Sequence, residues 1–236
     1  MHDNILIFDG VQTDEFSTFV TNAGMYKSPS PDYEAVEIAG RNGNPILEND
    51  RYKNVSVTYP MAIYEEFDRN YMKLRSFFLS KKGYKRIEDS FEPDRYRVGR
   101  FKGTINPKYS IDRRIGTFEV EFDCKPQWYL KVGEMPIEFS GGETAIFNPT
   151  QYGSQPKYRV YGSGTFTVND VSVSVGEGAT EYVDIDCEIM DSYEGNENRN
   201  SIVTRTGGWP VLDVGANTLT MSGIDRIEIF PRWYVL

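Results

Sequence analysis

The sequence is poor in the residues on which most catalytic and metal-binding sites depend. Its 236 residues include one histidine, His2, and two cysteines, Cys124 and Cys187. A catalytic dyad or triad based on histidine would have to use the second residue, and no CxxC pair is available to bind zinc. We therefore expect His2 to be a terminal residue without a catalytic role. Both cysteines are expected to be buried, unpaired thiols of a reducing cytoplasm.

Sequence motifs that bind phosphate or carry a nucleophile are also missing. The chain contains no GxxxxGK[ST], GxGxxG or GxSxG motif. The run Gly40-Arg41-Asn42-Gly43 has two glycines, but no helix-forming segment follows it and no lysine is placed to meet a phosphate. A P-loop therefore does not fit this context. No cofactor is expected.

Acidic runs occur at 88–94, 184–188 and 191–198, but none has the pattern of a known acidic site. The run 191–198 contains Gly195 among oxygen-bearing residues and lacks the closing glutamate of a calcium loop, so we interpret it as a solvated loop. Asp184 and Asp186 share one face of a predicted strand and could imitate the carboxylate pair of a glycosidase. We expect them instead on the exposed side of that strand.

Positive charge is scarce: 26 Lys and Arg stand against 35 Asp and Glu, which gives a net charge of -9. Nucleic-acid affinity depends on basic residues that neutralise phosphates, so no nucleic-acid partner is expected. The chain begins without a basic segment followed by an apolar run, and no apolar stretch approaches the roughly 18 residues of a membrane span. Neither secretion nor membrane insertion is predicted.

Aromatic residues are abundant, with 16 Tyr and 14 Phe, and they favour strands. Residues 4–11 predict a strand that ends at the turn Asp9-Gly10. Phe118, Val120 and Phe122 alternate with acidic residues, which predicts a strand with one wet face. We place Cys124 on that wet face and expect Lys125-Pro126 to end the strand.

One helix is predicted near 64–82. Its apolar residues recur at three- and four-residue steps, which is the period of an amphipathic helix that packs on a sheet. Glu65 and Glu66 would lie in its first turns, and Gly83 would follow its end. The stripe consists of Tyr64, Phe67, Tyr71, Leu74 and Phe78.

The composition changes after residues 131–145, which we interpret as a joint with a short strand near 136–139. Short alternating runs separated by turn residues follow, including Val183, Ile185, Cys187 and Ile189. This spacing predicts a β-sandwich or jelly-roll-like module of about 90 residues. The chain is thus expected to be mainly β, with an α+β N-terminal domain at 1–133 and a second domain at 134–236.

The order of these segments resembles the distal tail protein (Dit) family of long, flexible-tailed phages (siphoviruses). The resemblance rests on FDGV at 8–11, GRNG at 40–43 followed by DRYKN at 50–54, and a helix. DSFEPDRYRVGRF at 89–101, GTFEVEFDCKPQWY at 116–129 and QPKYRVYGSG at 155–164 come next. The chain ends in GWPVLDVGANTLTMSGIDRIEIFPRW at 208–233. The resemblance covers essentially the whole chain.

The resemblance implies a structural virion protein rather than an enzyme. It implies a tail-tube-like N-terminal β-sandwich with one helix that forms a homohexameric ring at the tip of the tail tube, and an outward-facing, galectin-like C-terminal β-sandwich. The implied partners are the tail-tube protein, the tail-associated adhesin or lysin, and receptor-binding or other baseplate proteins. The protein would be made in the host cytoplasm and reside at the distal tip of the tail.

Two sets of candidate contact residues follow. In the run Gly40, Arg41, Asn42 and Gly43 the glycines permit positive φ and Arg41 offers a five-donor fork, which suits either a turn held within one subunit or a contact to the next subunit of the ring. We predict the second, because the family that the chain resembles forms a ring. Trp209 and Trp233 are the candidate sugar contacts of an alternative function, a carbohydrate-binding module for host wall recognition. That alternative is weakened because the C-terminal half lacks the histidine of the galectin sugar site. A β-sandwich glycosidase that uses Asp184 or Asp186 is a third hypothesis.

Overall fold

The computed structural model describes residues 4–23, 27–110 and 114–236, so His2 lies outside the described residues. The chain forms two compact units that divide between Trp128 and Tyr129, with Leu236 grouped with the first. The predicted division lay a few residues later. Residues 130–133 belong to the second unit because Leu130 N–H donates to the Trp233 carbonyl and Arg232 N–H donates to the Gly133 carbonyl, both at 2.8 Å.

The first unit is a large antiparallel sheet with one helix. Its sheet has the order β2-β1-β7-β8-β10-β6-β3, with β9 paired to β10, while β4 and β5 form a separate two-stranded sheet. The helix is α1 (Phe67–Ser80), and the strands are β1 (Leu6–Phe8), β2 (Val11–Gln12), β3 (Thr18–Val20), β4 (Pro31–Ala35), β5 (Ile46–Tyr52), β6 (Val55–Ile63), β7 (Lys85–Asp89), β8 (Arg95–Phe101), β9 (Lys108–Tyr109) and β10 (Gly116–Leu130).

The core of the first unit lies between the helix and the sheet. Phe122 of β10 packs against Phe8 and Phe78 with ring centroids 5.1 and 5.8 Å apart, and all three are fully buried. The predicted alternation along β10 and the apolar stripe of the helix are therefore confirmed. The turn at Asp9-Gly10 is confirmed as well: both residues have positive φ, 52° and 80°, as a two-residue hairpin turn requires.

Two predictions about β10 are wrong. Cys124 is fully buried, because it lies an even number of residues from Phe122 and so points to the same face. The strand also continues through Pro126 to Leu130. Its pairing with β6 ends at Cys124, so proline falls where no ladder bond to that neighbour is lost.

The helix is shorter than predicted at its beginning. Glu66 has a left-handed backbone, φ 45°, and α1 begins only at Phe67. Tyr64 is 39% exposed and contacts the ring of Phe19, at a centroid distance of 5.8 Å, rather than the helical stripe. Glu65 and Glu66 thus precede the first turn. After Ser80 the chain is extended, and Gly83 has φ 71°.

The second unit is a sandwich of two sheets around one core, as predicted. One sheet has the order β11-β21-β13-β16-β17-β18 and the other β12-β20-β14-β15-β19. Their inner faces meet in a cluster that includes Tyr158, Phe166 and Leu219. The strands of these sheets are β11 (Ile137–Phe139), β12 (Gly142–Asn148), β13 (Lys157–Tyr161), β14 (Gly164–Val168), β15 (Val171–Val175), β16 (Val183–Asp186), β17 (Asp191–Glu194), β18 (Glu197–Asn198), β19 (Val203–Thr206), β20 (Gly215–Ser222) and β21 (Arg226–Phe230). The short β22 (Tyr234–Val235) belongs to neither of them and pairs with β10.

Candidate functional site

The most unusual surface of the first unit is the hairpin of β4 and β5. No residue from 27 to 54 is buried, and six large apolar side chains in this segment are 40–57% exposed. A two-stranded hairpin alone is marginally stable in water, and exposed apolar groups of this extent mark interaction surfaces. These side chains are Tyr33, Val36, Ile38, Ile46, Leu47 and Tyr52.

Both faces of the hairpin are apolar. Ile46 and Leu47 are adjacent in β5, so their side chains point to opposite faces, and they are 56% and 57% exposed. Val36 and Ile38 lie in the loop after β4, because the strand pairs end at Ala35 and Ile46. No part of the described chain buries the apolar residues of this segment.

The predicted contact residues Gly40–Gly43 lie at the tip of this hairpin. Gly40 and Gly43 have φ of 81° and 80°, and a Cβ at either would meet nothing within 4 Å. The glycines thus serve the turn geometry, and no backbone of the described chain lies close to them. Arg41 N–H donates to the Ile38 carbonyl at 3.1 Å, and its exposed guanidinium makes no ion pair within the described residues.

Ion pairs connect the two sides of the hairpin at its base. Arg51 Nε donates to Asp32 Oδ2 at 2.7 Å, and Lys53 Nζ lies 3.4 Å from Asp32 Oδ1. The hydrogen bond from Arg51 lowers the pKa of Asp32, with a further contribution from Lys53. These contacts fix the strand ends near 32 and 51 while the tip and the apolar residues remain open.

The two tryptophans offered as sugar contacts have little free surface. Trp233 is 5% exposed and belongs to the core of the second unit. Trp209 packs against the same core, and the Arg205 guanidinium lies over its ring at 3.7 Å from the centroid. Stacking on a sugar needs an open ring face, and both rings are used for packing.

Asp184 and Asp186 are buried, each 3% exposed, so the prediction that they lie on the open side of the strand is wrong. Arg159 bonds both oxygens of Asp184 at 2.7 and 2.8 Å, and Arg232 bonds both oxygens of Asp186 at 2.6 Å. Burial alone would raise the pKa of Asp186, but the Arg232 hydrogen bonds and charge lower it. Neither carboxyl group is free to act as a general acid, because both oxygens of each are bonded to an arginine.

The acidic run 191–198 forms a hairpin of β17 and β18 rather than an open loop. Glu194 accepts backbone N–H groups of Thr180 and Glu181, and Arg199 bonds it at 2.6 Å. These contacts lower the pKa of Glu194, most of all the bond from Glu181. Its oxygens are therefore occupied by the protein itself.

Among residues 4–23, 27–110 and 114–236, no group of three or more His, Cys, Asp or Glu side chains could hold a metal ion. A depression of about 780 Å³ beside the start of α1 is lined mainly by charged residues, including Glu65, Glu66 and Arg69. It contains no histidine, cysteine or serine. Within the described residues, no helix combines the length and apolar character needed to cross a bilayer.

Both cysteines are buried and unpaired, and burial raises the pKa of each thiol to about 12. Because the thiolate is the reactive form, neither cysteine should react with a thiol reagent near neutral pH while the chain is folded. We expect negligible labelling of the native protein and labelling of both residues in denaturant, as counted by mass spectrometry. Rapid modification of either residue in the native state would contradict the burial described above.

Comparison with solved structures identifies the kind of fold: a mainly β, two-unit architecture shared with phage tail and baseplate proteins. The chain is similar to SPP1 Dit (gp 19.1), described as a paradigm of hub adsorption apparatus in Gram-positive infecting phages, with a TM-score of 0.71 and 15% identity over 99% of both chains. Chains of the phage p2 baseplate in its activated conformation, solved with Sr and with Ca, match with TM-scores of 0.57 and 0.55. Their identities are 10% and 11% over 96% of each chain.

The resemblance to distal tail proteins drawn from sequence order is thus confirmed at the level of the fold. No family model and no curated protein matches the sequence. At 10–15% identity the relation is carried by architecture rather than by shared side chains.

Proposed function

We propose that this chain is a structural distal tail hub protein of a long-tailed phage and not an enzyme. The observation that carries the proposal is the match to SPP1 Dit across 99% of both chains, which includes both units and not merely one common β-sandwich. The paired carboxylates and buried thiols support it, because they leave the described residues without a nucleophile or general base in the candidate sites.

On this proposal the first unit forms a homohexameric, tail-tube-like ring through its exposed hairpin. An apolar hairpin that the described chain leaves open would be covered by the next subunit, and the unpaired Arg41 at its tip would bond carboxylate or carbonyl oxygens there. The ring would link the tail-tube protein to the tail-associated adhesin or lysin and the baseplate. The protein would be made in the host cytoplasm and reside at the distal tip of the virion tail.

The second unit, which we propose to be galectin-like, would serve as a platform for baseplate or receptor-binding proteins. The alternative, a carbohydrate-binding module, has less support, because Trp233 is buried and the Arg205 guanidinium lies over the ring of the half-buried Trp209. We therefore propose protein assembly as the role of the second unit.

The oligomeric state tests this function. The full chain should have about six times its 27.1 kDa mass by light scattering and appear as rings by electron microscopy. An Arg41→Ala variant should weaken the ring yet keep the melting temperature of the separate subunit, since the side chain is exposed and has no partner within the described chain. A chain that stays monomeric at high concentration, with and without tail-tube protein, would refute the proposal. An unchanged ring with a lowered melting temperature would return the loop to a purely local role.

A further inference from the structure

The second unit has one long sheet edge with which no strand of the described residues pairs. Each described sheet must end in two edge strands, and natural proteins keep such strands short, charged or covered. In the sheets of six or more strands the edges are two or three residues long: β2, β3, β11 and β18. In the five-stranded sheet β19 has four residues, whereas β12 has seven.

The composition of β12 does not prevent another strand from pairing with this edge. Its sequence, GETAIFN, has one charged residue, Glu143, and no lysine or proline. It pairs with β20 in continuous register from Gly142 to Asn148, so no bulge turns the edge away. No described strand pairs with its other side. Half of its backbone N–H and C=O groups therefore remain open to an incoming chain.

Apart from Glu143, the side chains beside this edge are uncharged. Phe147 is 69% exposed, and Ala145 and Ala216 next to it are exposed as well. Along the rest of the outer face, hydroxyl groups lie opposite one another: Thr165 bonds Ser174 at 2.9 Å, and Thr167 bonds Ser172 at 3.0 Å. In a chain with 26% charged residues, Glu143 is the one charged residue on this face. The hydroxyl residues of the face are Thr165, Thr167, Ser172, Ser174, Thr204, Thr206, Thr218, Thr220 and Ser222.

The outer face of the other sheet is different. There the exposed ends of long side chains cover the strands through ion pairs, as with Arg159 and Lys157 over Asp184. The charges of Arg159, Asp184 and Asp186 on that face are paired within the unit. The uncharged face and the open edge of β12 are continuous, so one partner can use both.

We propose that the free edge of β12 receives an extended, uncharged strand of a partner protein, which adds to the five-stranded sheet. The chemistry of the partner follows from the edge. Open backbone groups require an extended backbone, Phe147 and Ala145 require an apolar side chain beside them, and the uncharged face disfavours charged neighbours. This goes beyond the ring of the first unit, and its test does not depend on that ring.

The test uses the full chain and a synthetic peptide with the sequence of β20, Gly215–Ser222 (GANTLTMS). β20 already pairs with β12 in register, so its side-chain order fits that strand. At about millimolar peptide, hydrogen exchange should slow at residues 142–148. The same peptide with alternate amides N-methylated should not protect this segment, because it cannot complete the ladder.

Matched variants locate the effect. Ala145→Lys with Phe147→Lys should weaken protection at least about tenfold, since lysine blocks edge pairing. Thr204→Lys on β19, the opposite edge of the same sheet, should leave it unchanged. The proposal is overturned if the methylated peptide protects equally, if protection falls on β19, or if no protection occurs. It is also overturned if residues 142–148 become protected on concentrating the chain alone, since the occupant would then be a second copy.

Discussion

A chain carrying Ile46→Thr and Leu47→Thr should run as a single subunit under conditions in which the unaltered chain forms the proposed ring. Both side chains are more than half exposed in the separate subunit and point to opposite faces of the hairpin. Burying a large aliphatic side chain contributes about 1.5–3 kcal/mol. Losing most of that for two residues at each contact weakens the contact by roughly a hundredfold or more.

Threonine retains strand propensity, so the hairpin should keep its shape and the subunit its melting temperature. The matched control is Met72→Thr with Leu79→Thr, a pair on the helix that is 54% and 47% exposed. This control should leave the mass of the ring unchanged. Light scattering over a range of concentrations separates the outcomes, and a ring that survives the hairpin variant would show that assembly uses another surface.

Asp186→Ala should destabilise the second unit by about 3–5 kcal/mol. Asp186 is 3% exposed, and the Arg232 guanidinium bonds both of its oxygens at 2.6 Å. Removing the carboxylate leaves a largely buried guanidinium with only its longer contact to Glu188, at 3.5 Å. Glu197→Ala is the control, because Glu197 contacts Arg199 at 2.8 Å with 71% of its side chain exposed. An exposed pair contributes less than about 1 kcal/mol, so this variant should unfold almost as the parent does.

The same carboxylate predicts a dependence on pH. Its pKa in the folded chain is lowered from the ordinary value of 3.8, so ionised Asp186 stabilises the fold above that value. The stabilisation is lost as the pH falls through the lower, folded-state pKa. Denaturant titrations from neutral pH to about pH 2 should therefore show a shallower acid decline for Asp186→Ala than for the parent. Parallel declines for the two proteins would mean that another group dominates the acid response.

The sequence predicted the strands and the helix from their periodic apolar residues, but it predicted the burial and partners of single side chains less well. The alternation at Phe118, Val120 and Phe122 specified the buried face of β10, because a period of two has only two solutions. The stripe from Phe67 to Phe78 specified the helix in the same way. The helix was predicted to begin near residue 64 rather than at Phe67, because the left-handed backbone of Glu66 has no effect on the hydrophobic periodicity.

The environments of Asp184 and Asp186 were not predictable from their own strand. Their partners Arg159 and Arg232 lie 25 and 46 residues away, and only the sheet pairing brings them together. In the hairpin, by contrast, apolar residues that would be expected in a core are exposed. Leu47 and Ile46 have the composition of a core, and nothing local in the sequence indicates that the described chain leaves them uncovered.

Backbone hydrogen bonds join Leu130 to Trp233 and Arg232 to Gly133, so the first and last residues of the second unit lie side by side. A Cβ on Gly133 would lie 2.4 Å from the Trp233 backbone nitrogen, so this seam tolerates no side chain there. Domains whose two ends lie close together tolerate insertion and exchange. We therefore expect the second unit to accept longer loops, or replacement by another domain, as long as these few residues at its ends are kept.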